Sequence, residues 1–186
     1  MKPQDSRERF GRSLLTGGLE TGDWRLATLT TQPPGREMRV SMGTDHGGFE
    51  LKEELKARLL ASGHDVIDYG TDSDASVDFP DFVAPAARAV ASGEVERGVV
   101  LCGSGAGASI AAGKITGVRA ATVHDVYTAH QAVEHDGLNV LALGGRIVGF
   151  ELAWEIVETF LGAEFTGDER HIRRVEKLDE LDRRRI

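Results

Sequence analysis

Two short stretches concentrate the side chains of this chain that could do chemistry. The first is Cys102-Gly-Ser-Gly-Ala-Gly107, where the only cysteine opens a glycine loop. Backbone N–H groups of such a loop, at the start of a helix, form a cradle for an anion. The same dipole lowers the pKa of a thiol placed there, so Cys102 is a candidate thiolate near neutral pH. The second is Gly43-Thr-Asp-His-Gly-Gly48. Here Asp45 and His46 stand beside two glycines that let a ligand come close to the backbone. Plainer roles compete. Cys102 can be a small buried apolar residue, Asp45 a helix cap, and the glycine loop only a tight turn. Gly103, Gly105 and Gly107 do not have the G-x-G-x-x-G spacing of a dinucleotide site. The acid expected about 20 residues on would be Asp125, after the wrong element.

Further along come His124-Asp-Val-Tyr127 and Glu134-His-Asp136. His135, between two acids, has its charged form favoured, whereas His64 and His130 read as ordinary surface or core histidines. Arg146 follows Leu143-Gly-Gly. Arg170 and Arg174 are four apart and share one helix face. They are either a solvated face or a phosphate clamp, since each guanidinium is a rigid multi-donor fork.

The charge balance bears on that choice. The chain of 186 residues has 22 Lys+Arg against 30 Asp+Glu, a net charge of −8. A phosphate ligand then needs a local basic cluster against the global field, and a nucleic-acid backbone is a poor partner. No His, Cys and carboxylate set has metal-ligand spacing, so no metal is expected. No run of about 18 apolar residues exists that would span a membrane. A single cysteine forms no intrachain disulfide and fits a reducing cytosol.

The elements that must position these residues alternate. Strands are expected at 39–42, 65–69, 98–102, 118–123 and 139–143. Helices are expected at 49–61, 81–92, from the glycine loop to about 114, at 126–134 and at 150–161. A last helix over 169–185 carries Ile172, Val175, Leu178 and Leu181 at a spacing of three. That stripe needs an apolar cover, expected from a second subunit. Five alternations predict an α/β fold, a Rossmann-like three-layer sandwich around a five-stranded parallel sheet. Ligands of such sheets bind beyond the carboxyl ends of the strands. Residues 1–37, with Pro33-Pro-Gly35 near their end, read as a flexible N-terminal extension, and 38–186 as the single domain.

In these motifs the chain resembles the sugar-phosphate isomerases of the type B ribose-5-phosphate and galactose-6-phosphate isomerase family. The resemblance runs from about Arg39 to Arg185. It is carried by Gly43-Thr-Asp-His-Gly-Gly-Phe-Glu-Leu-Lys52, Asp78-Phe-Pro-Asp81, Cys102 to Ala112, His124 to Ala129, Glu134-His135, Asn139 to Arg146 and the Arg170/Arg174 pair. It implies a homodimer or dimer of dimers with active sites shared between subunits, acting on a sugar phosphate without metal or redox cofactor. It implies Cys102 as the base between C1 and C2, with Asp45 and Ser104 at the sugar oxygens. The loop Gly103–Gly107 becomes the anion hole and His135 the ring-opening group. His46, Arg146, Arg170 and Arg174 become the phosphate grip. Aldose–ketose isomerisation needs one base that returns its proton and a site for a developing oxyanion.

Three positions depart from the family's usual residues. Phe79 stands for a tyrosine, Gly113 for an asparagine, and Asp136 for the asparagine after the ring-opening histidine. A carboxylate only accepts hydrogen bonds and repels phosphate. The reaction class stands; ribose 5-phosphate remains the first expectation among tetrose, pentose and hexose phosphates. A non-catalytic sugar-phosphate binder and a cysteine hydrolase are the other classes.

Overall fold

The computed structural model describes residues 36–183. The expected flexible extension lies outside the described residues, apart from its last two positions. The elements are β1 (Arg39–Thr44), α1 (Phe49–Ala61), β2 (Asp65–Asp68), α2 (Pro80–Ala91), β3 (Arg97–Cys102), α3 (Ala106–Ala112), β4 (Ala120–Thr122), α4 (Val126–Asp136), β5 (Val140–Gly144), α5 (Phe150–Gly162) and α6 (Glu169–Arg183). The expected alternation is present throughout. β4 is shorter than the expected 118–123: Val118 bonds back to the Ile115 carbonyl as a turn, and the Arg119 N–H goes to Asn139 Oδ1 instead of a strand.

All five strands are parallel, in the order β2-β1-β3-β5-β4. Strand periodicity of two decides which side chain meets which helix layer. Val99 and Leu101 of β3 pack with Leu55, Phe160 and Ile156 on the face covered by α1, α4 and α5. Val100 and Cys102 point the other way, to Val83, Ala86 and Ala108 of α2 and α3. A central strand buried on both faces has no polar side, which is why β3 is apolar from Gly98 to Cys102, after the partly buried Arg97 at its start.

α1 departs from its sequence pattern. Leu51, Leu55 and Leu59 are buried as their spacing requires, but Lys52 is also fully buried. Its ammonium is paired with Asp68 at 2.7 Å and Glu53 at 2.7 Å and donates to the Thr71 carbonyl at 2.9 Å. A buried charge persists only when paired and hydrogen-bonded in this way.

α6 lies beyond α5 and packs on α4. Its Arg119–Asp179 ion pair and the Gly117 N–H to Asp182 bond hold it to the loop before β4. Ile172, Leu178 and Leu181 remain 42%, 43% and 62% exposed, so this domain does not itself cover the stripe.

Candidate active site

The chain leaves β1 for β2 on one side and returns across the sheet to β3 before reaching β5 and β4. β1 and β3 are therefore adjacent strands whose following loops diverge, which opens a crevice at their carboxyl ends. Both reactive stretches are there. Asp45 follows β1 and Cys102 ends β3.

The loop after β3 is folded around the thiol. Cys102 is buried to 5% exposure, and the Gly105 N–H donates to its sulfur across 3.2 Å. Gly105 has φ +79°, and a Cβ there would stand 2.9 Å from the Leu143 carbonyl carbon. Only glycine suits that left-handed, backbone-crowded position. Ser104 is exposed, its Oγ accepting the Ala106 N–H at 3.4 Å. The first amide of α3 that bonds back to a backbone carbonyl is Ser109, to Gly105 at 2.9 Å; with the Gly105 and Ala106 N–H groups turned to Cys102 and Ser104, those of Gly107 and Ala108 in the first turn have no intrahelical acceptor.

Neighbouring strands close the cup. Asp45 is buried, and its Oδ1 accepts the Gly47 N–H at 2.8 Å. It therefore braces its own loop and does not cap α1, whose N-cap is Gly48. A methyl on Gly47 would come within 2.9 Å of the Gly103 nitrogen. The Gly145 N–H bonds to the Cys102 carbonyl at 2.9 Å and the Arg146 N–H to the Gly103 carbonyl at 3.0 Å. Arg146 lies alongside Gly103: a Cβ on that glycine would be 3.6 Å from its Nε. His46 Nδ1 accepts the Val77 N–H at 3.3 Å. Phe79 packs on Gly107, where an added methyl would meet its ring at 3.0 Å. His124, at the end of β4, accepts the Gly144 N–H on Nε2 at 3.0 Å. Sequence inspection noted this histidine without a role.

The other candidates are at the opposite edge of the sheet. α4 runs back from the carboxyl end of β4, so its last turn lies where the strands begin. The Gly137 carbonyl, one residue past α4, accepts Arg119 Nε at 2.8 Å, and Arg119 precedes β4. His135 and Asp136 are on that last turn. His135 is stacked on His171 of α6, centroids 4.1 Å apart, which brings Arg170 to the same edge. Arg174 is one turn further along α6. A strand of five residues, about 3.3 Å each, separates the two edges. Within one chain the fold assembles Asp45, His46, Phe79, Cys102, Gly103, Ser104, Gly105, Gly107 and Arg146. It does not bring His135, Asp136, Arg170 and Arg174 to them.

Titration follows from local contacts. Burial raises the Asp68 pKa, but hydrogen bonds from Lys52, Lys56 and the Gly70 N–H outweigh it and leave it below the ordinary carboxylate value. His171 is held below the ordinary histidine range, first by burial and then by His135 and Arg170. Asp125 is lowered by the Thr128 N–H, which it caps at the start of α4. Among the described residues no group of three or more His, Cys, Asp or Glu could hold a metal ion.

Comparison with known proteins agrees with this geometry. The profile of the Ribose/Galactose Isomerase family matches residues 40–178. Ribose-5-phosphate isomerase B of Escherichia coli is 45% identical over 147 residues, 79% of this chain and 98% of that protein. D-erythrulose-4-phosphate isomerase 2 of Mycolicibacterium smegmatis is 41% identical over 133 residues, 69% of this chain and 86% of that protein. The solved structure of Clostridium thermocellum ribose-5-phosphate isomerase B superposes with a TM-score of 0.77 at 49% identity, covering 78% of this chain and 98% of that one. A buried thiol in a glycine cup at the switch point of a parallel sheet thus comes with a whole-domain match in sequence and in fold, and the chain belongs to the Ribose/Galactose Isomerase family of sugar-phosphate isomerases.

Proposed function

We propose that the protein interconverts ribose 5-phosphate and ribulose 5-phosphate through an enediolate, with Cys102 as the base. The observation that carries this is the Cys102 sulfur held by the Gly105 N–H at 3.2 Å at the head of the glycine loop, where a base stands next to N–H donors able to meet charge developing on the sugar oxygens. The thiolate takes the C2 proton of the open aldose. The electron pair moves to C1–C2 and onto O1. The same sulfur returns the proton to C1 while a proton passes from O2 to O1. Charge on the oxygens is met by loop N–H groups between Gly103 and Gly107, preorganised and partly dry, with Asp45 and Ser104 at the hydroxyls. The free cysteine stays reduced in a cytosolic setting.

His135 opens the furanose, and His46, Arg146, Arg170 and Arg174 hold the phosphate. The two edges of the sheet are a strand length apart, so one chain does not complete this set. A second copy supplies it: His135, Asp136, Arg170 and Arg174 of one subunit face Cys102 of its partner, and the exposed stripe of α6 is covered in the same assembly. The test is an NMR assay of four- to six-carbon aldose and ketose phosphates, run on wild type and Cys102→Ser. Turnover of ribose 5-phosphate that vanishes with the sulfur supports the reading. Turnover that survives in Cys102→Ser, or no aldose–ketose conversion of any of these sugars, overturns it.

A further inference from the structure

β4 stands at the edge of the sheet and is only three residues long. Side chains at its end reach inward to the loop that holds Cys102. Thr122 Oγ1 donates to the Gly105 carbonyl at 3.1 Å, and its methyl stands 3.0 Å from where a Cβ on Gly105 would be. His124 takes over where the ladder stops. The Val123 N–H still bonds to the Ala142 carbonyl at 3.1 Å. Two residues further along β5, the buried Gly144 N–H goes instead to the ring Nε2 of His124 at 3.0 Å. An accepting Nε2 assigns the proton of the neutral imidazole to Nδ1. The histidine does for Gly144 what a strand carbonyl would do, and no buried donor is left over.

Gly144 is the floor on which the loop rests. It is in register with Cys102, and a Cβ on it would be 2.8 Å from the Ser104 carbonyl carbon and 2.9 Å from its oxygen. The peptide between Ser104 and Gly105, whose N–H points at the Cys102 sulfur from 3.2 Å, therefore lies against the residue that His124 fixes. The next peptide, between Gly105 and Ala106, is held by Thr122 through its carbonyl. Gly105 has φ +79° and no side chain with which to pin either plane. Thr122 is exposed and His124 only part-buried, so neither is a core residue.

We infer that Thr122 and His124 are positioning residues for the reaction. They set the two peptide planes that flank Gly105, and so the course of the loop from Cys102 to the N–H groups of Gly107 and Ala108. This rests on the reading of Cys102 as the base of a sugar-phosphate isomerase. Donors stabilise a developing oxyanion only when they are aimed beforehand. Loosened planes then slow the chemical step and spare ground-state binding.

The experiment measures kcat on ribose 5-phosphate and inhibition by ribitol 5-phosphate, a sugar alcohol with no carbonyl to enolise, which reports ground-state binding alone. In Thr122→Val and His124→Leu, kcat is expected to fall about tenfold, as small misplacements of catalytic groups do, while the inhibition constant moves less than about twofold. Thr122→Ser restores the hydroxyl and His124→Gln an acceptor near the place of Nε2, so each should recover most of the loss. Thr122→Val exchanges side chains of one shape at an exposed position, and it decides the matter if His124→Leu does not fold. An unchanged kcat in Thr122→Val, an equal weakening of the inhibitor, or a serine that fails to rescue overturns the inference while the isomerase reading stands. A wild type inert on ribose 5-phosphate, or one that keeps its rate in Cys102→Ser, overturns the proposed function and the inference with it.

Discussion

The Gly105 N–H points at the Cys102 sulfur from 3.2 Å, so the residue that needs a left-handed backbone is also the one that polarises the thiol. Cys102→Ser is expected to lose about 10²- to 10⁴-fold in kcat, the range for removing a general base, with an unchanged urea midpoint. Gly105→Ala should lose both activity and stability, because its methyl has nowhere to go beside the Leu143–Gly144 backbone. Steady-state rates and urea unfolding on the pair separate chemistry from folding.

A site shared between subunits has a signature in mixing. Cys102→Ser and His135→Asn are each expected to be inactive alone. Unfolded together and refolded, they should recover about a quarter of wild-type activity, since half of the dimers are mixed and each mixed dimer of two-fold symmetry holds one intact site. No recovery would place both residues in one subunit's site.

The buried Lys52–Asp68 pair makes a stability prediction. Lys52→Met removes a fully buried ammonium but leaves Asp68 with Lys56 at 2.6 Å. The loss is expected at the lower end of the range for a broken buried pair, about 3 kcal/mol. Asp68→Asn should cost more, as it leaves the buried Lys52 ammonium with Glu53 as its remaining carboxylate partner, beside the Thr71 carbonyl. Chemical denaturation of the two variants checks the order.

The pH dependence of stability has two limbs of the same sign. His171 titrates below the ordinary value in the folded state, among His135, Arg170, Arg174 and Asp168. As pH falls below about 6.5, the unfolded chain takes up that proton first, so stability declines. Asp68, lowered in the fold, contributes fully above the ordinary carboxylate value and loses its contribution as pH falls through the depressed one. Urea midpoints from pH 7 to 5.5 should fall less steeply in His171→Phe than in wild type. The limb below pH 4 should flatten in Asp68→Asn.

Asp136 is a carboxylate beside the proposed ring-opening histidine, where the family usually has an amide. It is expected to face a sugar hydroxyl and not the phosphate. Asp136→Asn should then change the ranking of ribose 5-phosphate among four- to six-carbon sugar phosphates. Normal family efficiency on ribose 5-phosphate in wild type, with no change in the variant, would refute this.

Much of the fold was legible because burial imposes short-range periods. Leu51, Leu55 and Leu59 announce α1, and the uninterrupted Val99-Val-Leu101 announces a strand covered on both faces. The buried state of Lys52 was not legible. Its partner Asp68 is 16 positions away, and pairing across an α/β connection leaves no periodic mark. His171 was missed for a similar reason. It sits between the two arginines that drew notice, and its stacking on a residue 36 positions earlier follows from how α6 packs.

The sequence by itself determined the alternating elements, the glycine loop behind Cys102 and the list of groups able to grip a phosphorylated sugar, since residue type and spacing suffice for these. Tertiary structure alone decided that Cys102 and Arg146 meet at one rim of the sheet while His135, Arg170 and Arg174 gather at the other. The reason is geometric: each crossover helix returns its end to the strands' starting edge, and which helix packs on which is settled by long-range contacts between faces.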